Sequence, residues 1–569
     1  MNKNFNVYNF ILRSSLIFVL CAGLQLVAQN NDAISFIRIN TVGYLSGDQK
    51  IAIIGSHENL EGKPFYLIEP DQPEKIVYTG KISASRGNED TPFKYNFPCD
   101  FSSFKKEGKY KLKLPDGTLS DTIVIGALND YQDALQLILE YFRSQRCGNN
   151  EPLLHKPCHL NDAKAVIDAS GGWHDAGDYI KFMITATYAT VELITAVDYA
   201  TTYGFENAME DVSPKNGIPD LIEEASIGLQ WILNMTSDYA NGNYYYQVSG
   251  EEDHDHWRMP ETDDSTGVVG NPRSLHKGWG GNLLGRSAAA LSIAYRVFYK
   301  SDKEFGDECL ARAEALFKDR NKYENVQKSV PPDFYNENEW RDDMVLGAAE
   351  LYQTTKNPEY QNYAENNLKK LTGDGIAWNG CDYLAYASCF KADIEPEYCK
   401  NKMKEILENT EKKLNKDVYY LSSGYTWGTT ALFTADAQKA IMYYYLTSDS
   451  SYLNIATAER DYLLGRNNWG VSFVVGLGAL PPVNLHSQID SLSTPQKGAV
   501  VGGPAELTSW KRTFPALQIK NDRFQRFQSD IVYHDSRQDY YCNEAALDYT
   551  SPSVFIFLYN IATAQKEFQ

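Results

Sequence analysis

Between residues 33 and 127 the apolar positions come in short runs: ISFIRI, KIAIIG, PFYLIE, KIVYTG, YKLKL and DTIVIG. These runs are rich in β-branched and aromatic side chains, and Gly, Pro, Asp and Asn punctuate them. Successive side chains alternate across a strand and turn residues reverse the chain, so the pattern predicts an antiparallel β-sandwich. From residue 131 to 567 the apolar period lengthens to three and four. ALQLILEYFRSQ, TATYATVELITAVDYATTY, PDLIEEASIGLQWILNM, GRSAAALSIAYRVFYK, DDMVLGAAELYQTT and TADAQKAIMYYYLT are examples. Each places an apolar stripe on a helix. Roughly a dozen such segments, with strands nearly absent, predict a mainly α unit of packed helix pairs. No strict short repeat runs through them, which favours a closed barrel over an open solenoid. Loops at one end of such a barrel build its working face.

A chain of 569 residues exceeds one ordinary core, in keeping with two units. Aromatic residues make up 13%, and Trp and Tyr beside Gly and Asp suit a cleft that stacks on sugar rings. The net charge of −20 disfavours nucleic acid, which needs clustered Lys and Arg, and anionic membranes. Residues 1–28 have the pattern of a secretory signal: Lys3 and Arg13, a short apolar core around Leu16–Leu20, and the small Ala28 at the cleavage point. Export, periplasmic or extracellular, follows. The apolar run is shorter than the ~20 residues a span requires. Cys21 leaves lipidation open, although Leu20 before it is bulky for that site.

GGWHDAGDYIKF, 171–182, sets Asp175 and Asp178 around Gly177 before a helix. NEAALDY, 543–549, holds Glu544. Two carboxyl groups flanking a bond, one ionised and one protonated, are the machinery of glycoside hydrolysis. Taken alone, DAGD also reads as a helix cap or calcium loop, and Glu544 as an exposed helix-start glutamate. Cys147, Cys158, His159 and His174 suit tetrahedral zinc, while Cys147–Cys158 could equally be a disulfide in an exported protein. Cys381 and Cys389 are close enough to pair. DHDHWRMPE, 253–261, reads as a metal loop or as a sugar platform at Trp257, and no HExxH is present. The Gly- and Pro-rich 465–488 is a long loop carrying His486, and Asp535 and Arg537 could pair beside Glu544.

Taken in order, INTVGYLSGDQKIAII, DFSSFKKEGKYKLKL, QRCG, KPCH, GGWHDAGDYIKF, NGIPDLIEEASIGLQWIL, DHDHWRMPE, YLLGRNNWGVSFVVGLGALPP, AVVGGP and DSRQDYYCNEAALDYTSP resemble glycoside hydrolase family 9. These are inverting cellulases, here in the subgroup with an N-terminal immunoglobulin-like domain. The resemblance implies an (α/α)6 barrel with an open cleft. It implies Asp178 as catalytic base, Asp175 helping to hold the water, and Glu544 as acid. It places structural zinc at Cys147, Cys158 and His159, with His174 inferred as fourth ligand, and leaves calcium open. Trp173, Trp257, Trp427 and His486 become candidate sugar contacts. In one place the chain departs from the pattern: His486, Ser487 and Gln488 stand where relatives carry two histidines and an arginine. A Gln cannot supply the charged fork of an Arg. That turns the expected substrate from crystalline cellulose toward mixed-linkage glucan, xyloglucan or short oligosaccharides. The chain is then a monomeric hydrolase cleaving β-1,4-glucosidic bonds with inversion. An exo-acting hydrolase of the same fold, a non-catalytic sugar-binding protein and a metal-dependent hydrolase are the alternatives.

Overall fold

The structure, a computed structural model, describes residues 35–567 apart from 150–154, 163, 165, 268 and 494. The expected signal segment, with Cys21 and Ala28, lies outside the described residues. The front unit contains β1 Ser35–Arg38, β2 Ile51–Ser56, β3 Pro64–Glu69, β4 Gln72–Lys81, β5 Tyr95–Asp100, β6 Gly108–Lys113 and β7 Ile123–Ile125. They pair antiparallel in two sheets, ordered β1-β2-β5 and β4-β3-β6-β7. Ala52 and Ile54 of β2 face the sandwich core with Phe65, Leu67, Phe97 and Leu112. Ile51 and Ile53 face the other way, into the helical core. Because successive side chains point to opposite faces, a strand buried on both sides reads as one unbroken apolar run. This is why IAII does not alternate.

Among the described residues, twelve helices of ten residues or more form the second unit: α1 Leu128–Gln145, α2 Met183–Tyr203, α3 Asp220–Met235, α4 Gly281–Phe298, α5 Lys303–Lys318, α6 Arg341–Thr355, α7 Pro358–Leu368, α8 Asp382–Lys391, α9 Pro396–Leu414, α10 Thr429–Thr447, α11 Leu453–Leu463 and α12 Leu547–Glu567. The even-numbered helices touch in sequence, α2 to α4, α6, α8, α10 and α12, and α12 returns to α2, so the inner ring closes. The odd-numbered helices pack outside them, giving an (α/α)6 barrel. Sequence and position agree. α2 is buried continuously from Met183 to Ala200, as an inner helix must be. α9 buries only Cys399, Met403, Ile406, Leu407, Thr410 and Leu414, a stripe at three- and four-residue steps, as an outer helix does.

A buried polar joint fixes the sandwich to the barrel. Arg460 of α11 pairs with Asp48 at 2.9 Å and Asp461 at 2.8 Å, and donates to Asn560 at 2.6 Å. Asn40 donates to Asp461 at 2.9 Å. Arg86 donates to the carbonyls of Asn415 and Asp417, both at 2.6 Å, just past the C-terminus of α9 where the helix dipole is negative. Short strands Lys181–Phe182, Tyr245–Val248 and Leu275–Lys277 form a small sheet at the working end. The sequence pattern anticipated hardly any strand here, because pieces this brief are too short to display a period of two. No helix among the described residues is long and apolar enough to cross a membrane.

Candidate active site

A cleft of about 810 Å³ opens at the N-terminal ends of the inner helices. Its lining comes from the segment before each of them: Asp175 and Asp178 before α2, His254 and Trp257 before α4, Phe334 and Tyr335 before α6, Trp378 before α8, Trp427 before α10, and Tyr540 and Glu544 before α12. Backbone bonds sew the segments before α2 and α12 and the loop at 486–488 together. Leu547 N donates to Asp175 O at 3.1 Å, Gln488 N to Gly177 O at 2.8 Å, and His486 N to Asn543 O at 3.0 Å. Gly177 N also donates to Glu544 Oε1 at 3.2 Å. A side chain at Gly177 has no room, since a Cβ there would lie 2.7 Å from His486 O and 2.8 Å from Glu544 Oε1. Glycine is required for that close approach.

The three carboxyl groups have different surroundings. Asp175 is buried and accepts from Thr185 and Tyr335, one on each oxygen. Burial outweighs those two donors and pushes its pKa up to about 7, with the Asp178 charge adding to the rise. Asp178 accepts from Ile180 N at 2.9 Å and pairs through its other oxygen with His254. Burial disfavours the His254 imidazolium, but the Asp178 contact and charge outweigh it and raise its pKa to about 9. Glu544 is pushed up to about 8, first by burial and then by the Asp178 charge. At neutral pH the cleft therefore holds a protonated Glu544 together with the Asp178–His254 contact. This separation of carboxyl environments is what assigns acid and base in such pairs. Asp548 lines the floor as a further buried carboxyl, held well above the usual range by burial and by Asp175.

Trp257 and Trp427 are 41% and 45% exposed and line the cleft, so their faces are free to stack on a sugar. Trp173 does not join them. It is fully buried, its indole N–H donates to Glu224 at 2.7 Å and its ring packs on Phe142. Its place after two glycines suggested a cleft residue, but the neighbouring backbone turns it into the core. His486 lines the cleft between Trp257 and Tyr540 and bonds Arg537 O at 2.7 Å. Tyr335, Phe334 and Trp378 line the site too and were missed, although the FY pair after two prolines in PPDFYNENEW was the available signal. His254, read as a possible metal ligand, is instead the partner of Asp178.

Other expectations change. Asp535 and Arg537 do not pair: Asp535 binds Arg523 at 2.8 Å and accepts from Asn543 at 3.1 Å, while Arg537 approaches Asp490 at 3.8 Å. Two-residue spacing put them close in sequence, but the turn sends them apart. Ser487 and Gln488 are buried and do not line the cleft. Cys381 and Cys389 remain free thiols.

Cys147, Cys158, His159 and His174 converge, with one ligand atom from each lying within 4.8 Å of the others. The two sulfurs are 4.0 Å apart, twice the length of a disulfide bond. Cys147 Sγ to His159 Nδ1 and Cys158 Sγ to His174 Nε2 are both 3.7 Å. These are close to the edges of a tetrahedron with ligand bonds of about 2.0–2.3 Å. Burial lowers the His174 pKa to about 3, keeping it neutral as a ligand must be. His159 holds a left-handed φ of 55° and turns its other nitrogen to Asp263 at 3.3 Å, the usual support of a metal-bound imidazole. A second cluster, His534, Asp539 and Cys542, satisfies itself. Asp539 accepts from His534 and Trp510, both at 2.8 Å, and from Cys542 N at 3.1 Å.

An (α/α)6 barrel whose aromatic cleft is lined by several carboxyl groups in unequal environments is a setting suited to glycoside hydrolysis. Residues 131–557 match Glycosyl hydrolase family 9, and residues 32–118 match the Cellulase N-terminal ig-like domain. The chain belongs to glycosyl hydrolase family 9. It is 27% identical over 514 residues to Endoglucanase D of Acetivibrio thermocellus, covering 84% of this chain and 79% of that one. It is 23% identical over 598 residues to the Xyloglucan-specific endo-beta-1,4-glucanase BoGH9A of Bacteroides ovatus, covering 96% and 97%. Among solved structures, a Zn-binding triple mutant of GH family 9 endoglucanase J30 superposes with a TM-score of 0.77 at 22% identity, covering 91% and 99%.

Gly177→Ala tests the clasp between the two loops. The added methyl must displace Glu544 or the His486 strand, and misplacement by about 1 Å costs about 100-fold in rate. Steady-state kinetics on a soluble β-glucan should show that loss with the melting temperature little changed. A rate within threefold of wild type would show that the close approach does not matter.

Proposed function

We propose that the chain hydrolyses β-1,4-glucosidic bonds of a β-glucan with inversion. The observation carrying this reading is that half-buried Glu544, held protonated by its surroundings, and Asp178, paired with His254, line one cleft large enough for sugar rings. Glu544 gives its proton to the leaving glycosidic oxygen. A water on the opposite face attacks the anomeric carbon and passes its proton to Asp178, with Asp175 as a second acceptor that orients it. The His254 imidazolium pairs with Asp178 while the acid stays neutral. Trp257 and Trp427 offer the platforms and His486 a polar contact.

Among the described residues lining the cleft there is no Lys or Arg. A uronate carboxylate would meet only the His254 imidazolium, already paired with Asp178, and would enter at a desolvation cost. A neutral glucan is the matching substrate. The xyloglucan-specific relative that spans nearly the whole chain supports soluble or branched glucans over crystalline cellulose. The signal pattern in 1–28 supports export, and one chain supplies every group, so the reading is of a monomeric exported enzyme.

Because Glu544 is pushed up to about 8, its proton is present below that pH and is lost as pH rises through it. The rate should fall on that alkaline limb. Glu544→Gln should cost about 100- to 10,000-fold in kcat, the range for a general acid, while oligosaccharide binding persists. Near-normal turnover in that variant on a neutral cello-oligosaccharide would remove Glu544 as the acid.

Zinc is the ion the Cys147, Cys158, His159 and His174 set fits, as a structural brace rather than a reactant, since four protein ligands leave no open position. Calcium is compatible with the family but is given no site. The purified protein should hold about one zinc per chain by elemental analysis. Cys158→Ser should lose it and melt several degrees lower. Full zinc retention or an unmoved melting temperature would contradict the assignment.

A further inference from the structure

We propose that Gln488 is a positioning residue: buried behind the cleft, it ties the loop that carries His254 to the loop that carries Asp178. Kinetically this rests on the reading above; structurally it does not. Gln488 is 1% exposed, so its amide has left water and must find partners. It finds them on two segments. Its backbone N–H donates to Gly177 O at 2.8 Å, inside the DAGD turn. Its side chain reaches the other loop, accepting from Arg258 N at 3.2 Å through Oε1 and donating to Asp253 O at 3.3 Å through Nε2. An uncharged amide accepts at one end and donates at the other. His254 lies between those two anchor points, next to Asp253.

The clamped loop is also held elsewhere. Arg258 pairs with Asp253 at 2.7 Å and also with Asp263, and Arg273 pairs with Asp253 at 3.1 Å. Those contacts fix the loop to the body of the barrel, and Tyr179, next to Asp178, donates its hydroxyl to Arg258 O at 2.8 Å. Gln488 adds the tie that reaches both ends of the His254 segment, at Asp253 and at Arg258, and the His254–Asp178 contact lies between those ends. An arginine here could not accept from Arg258 N. The residue that replaces the cation of relatives therefore does a different job, acting on the base through His254 rather than on the sugar.

The test uses the full chain, with Gln488→Met, which keeps the volume and removes both amide contacts, and Gln488→Glu, which retains the acceptor toward Arg258 N. Two quantities are read: kcat and KM on a neutral β-1,4-gluco-oligosaccharide, and the His254 titration followed by NMR with histidine-labelled protein. The groups facing His254 are Asp178, Glu544, Asp253, Asp175 and His486, and none is changed by either substitution. Gln488→Met should lower kcat at least about tenfold with KM within twofold, as loss of alignment does. Its His254 should titrate at lower pH than in wild type, and Gln488→Glu should fall between. A raised KM with kcat and the His254 titration unchanged would make Gln488 a substrate contact and overturn the proposal; so would no change in either. If Gln488→Met does not fold, Gln488→Glu decides by the same criteria. A wild type with no hydrolysis would overturn the proposed function alone, because the His254 titration reads the clamp without turnover.

Discussion

The working end depends on one close approach, between the Gly177 amide and the Glu544 carboxyl, across 367 positions of sequence. α2 and α12 are neighbours because the inner ring closes, and closure brings the loops before them side by side. A ring left open between these helices would keep Asp178 and Glu544 apart. The dozen helices, buried all round inside and striped outside, thus serve to set two loops against each other. The polar joint at Arg460, Asp461 and Asp48 anchors the sandwich to α11 beside that ring. The sandwich contributes no lining residue to the cleft among those described.

Within the clasp, chemistry follows from unequal environments. Glu544 has one backbone donor and an adjacent anion, so burial leaves it neutral. Asp178 is met instead by the His254 imidazolium. Asp175 sits between these extremes, buried but supplied with two hydroxyl donors. The carboxyl groups diverge because of their neighbours, and those neighbours come from three loops and from α2.

Both textures of the fold were legible because strand and helix periods differ and each segment was long enough to display its own. The small sheet at the cleft was not, its strands being too brief. Asp175, Asp178 and Glu544 stood out as acids beside glycine or asparagine in loops, and the convergence of Cys147, Cys158, His159 and His174 followed from their residue types. Trp173 and the Asp535–Arg537 pair misled, because the direction a side chain takes from a turn is decided by backbone contacts that spacing does not encode. His254 was legible as an unusual residue and illegible as a partner of Asp178, 76 positions away by their numbering. Gln488 looked like a loss in the sequence, yet its two contacts lie on another loop entirely.

The account stands on a water-sized gap between Asp178 and the anomeric carbon, with Glu544 on the opposite side of the bond. The stereochemistry of the first product reports that arrangement directly. Proton NMR of a β-1,4-glucan digest, read before mutarotation, should show the α-anomer appearing first. Early accumulation of the β-anomer would mean a covalent sugar intermediate, and would contradict the roles given to both carboxyl groups.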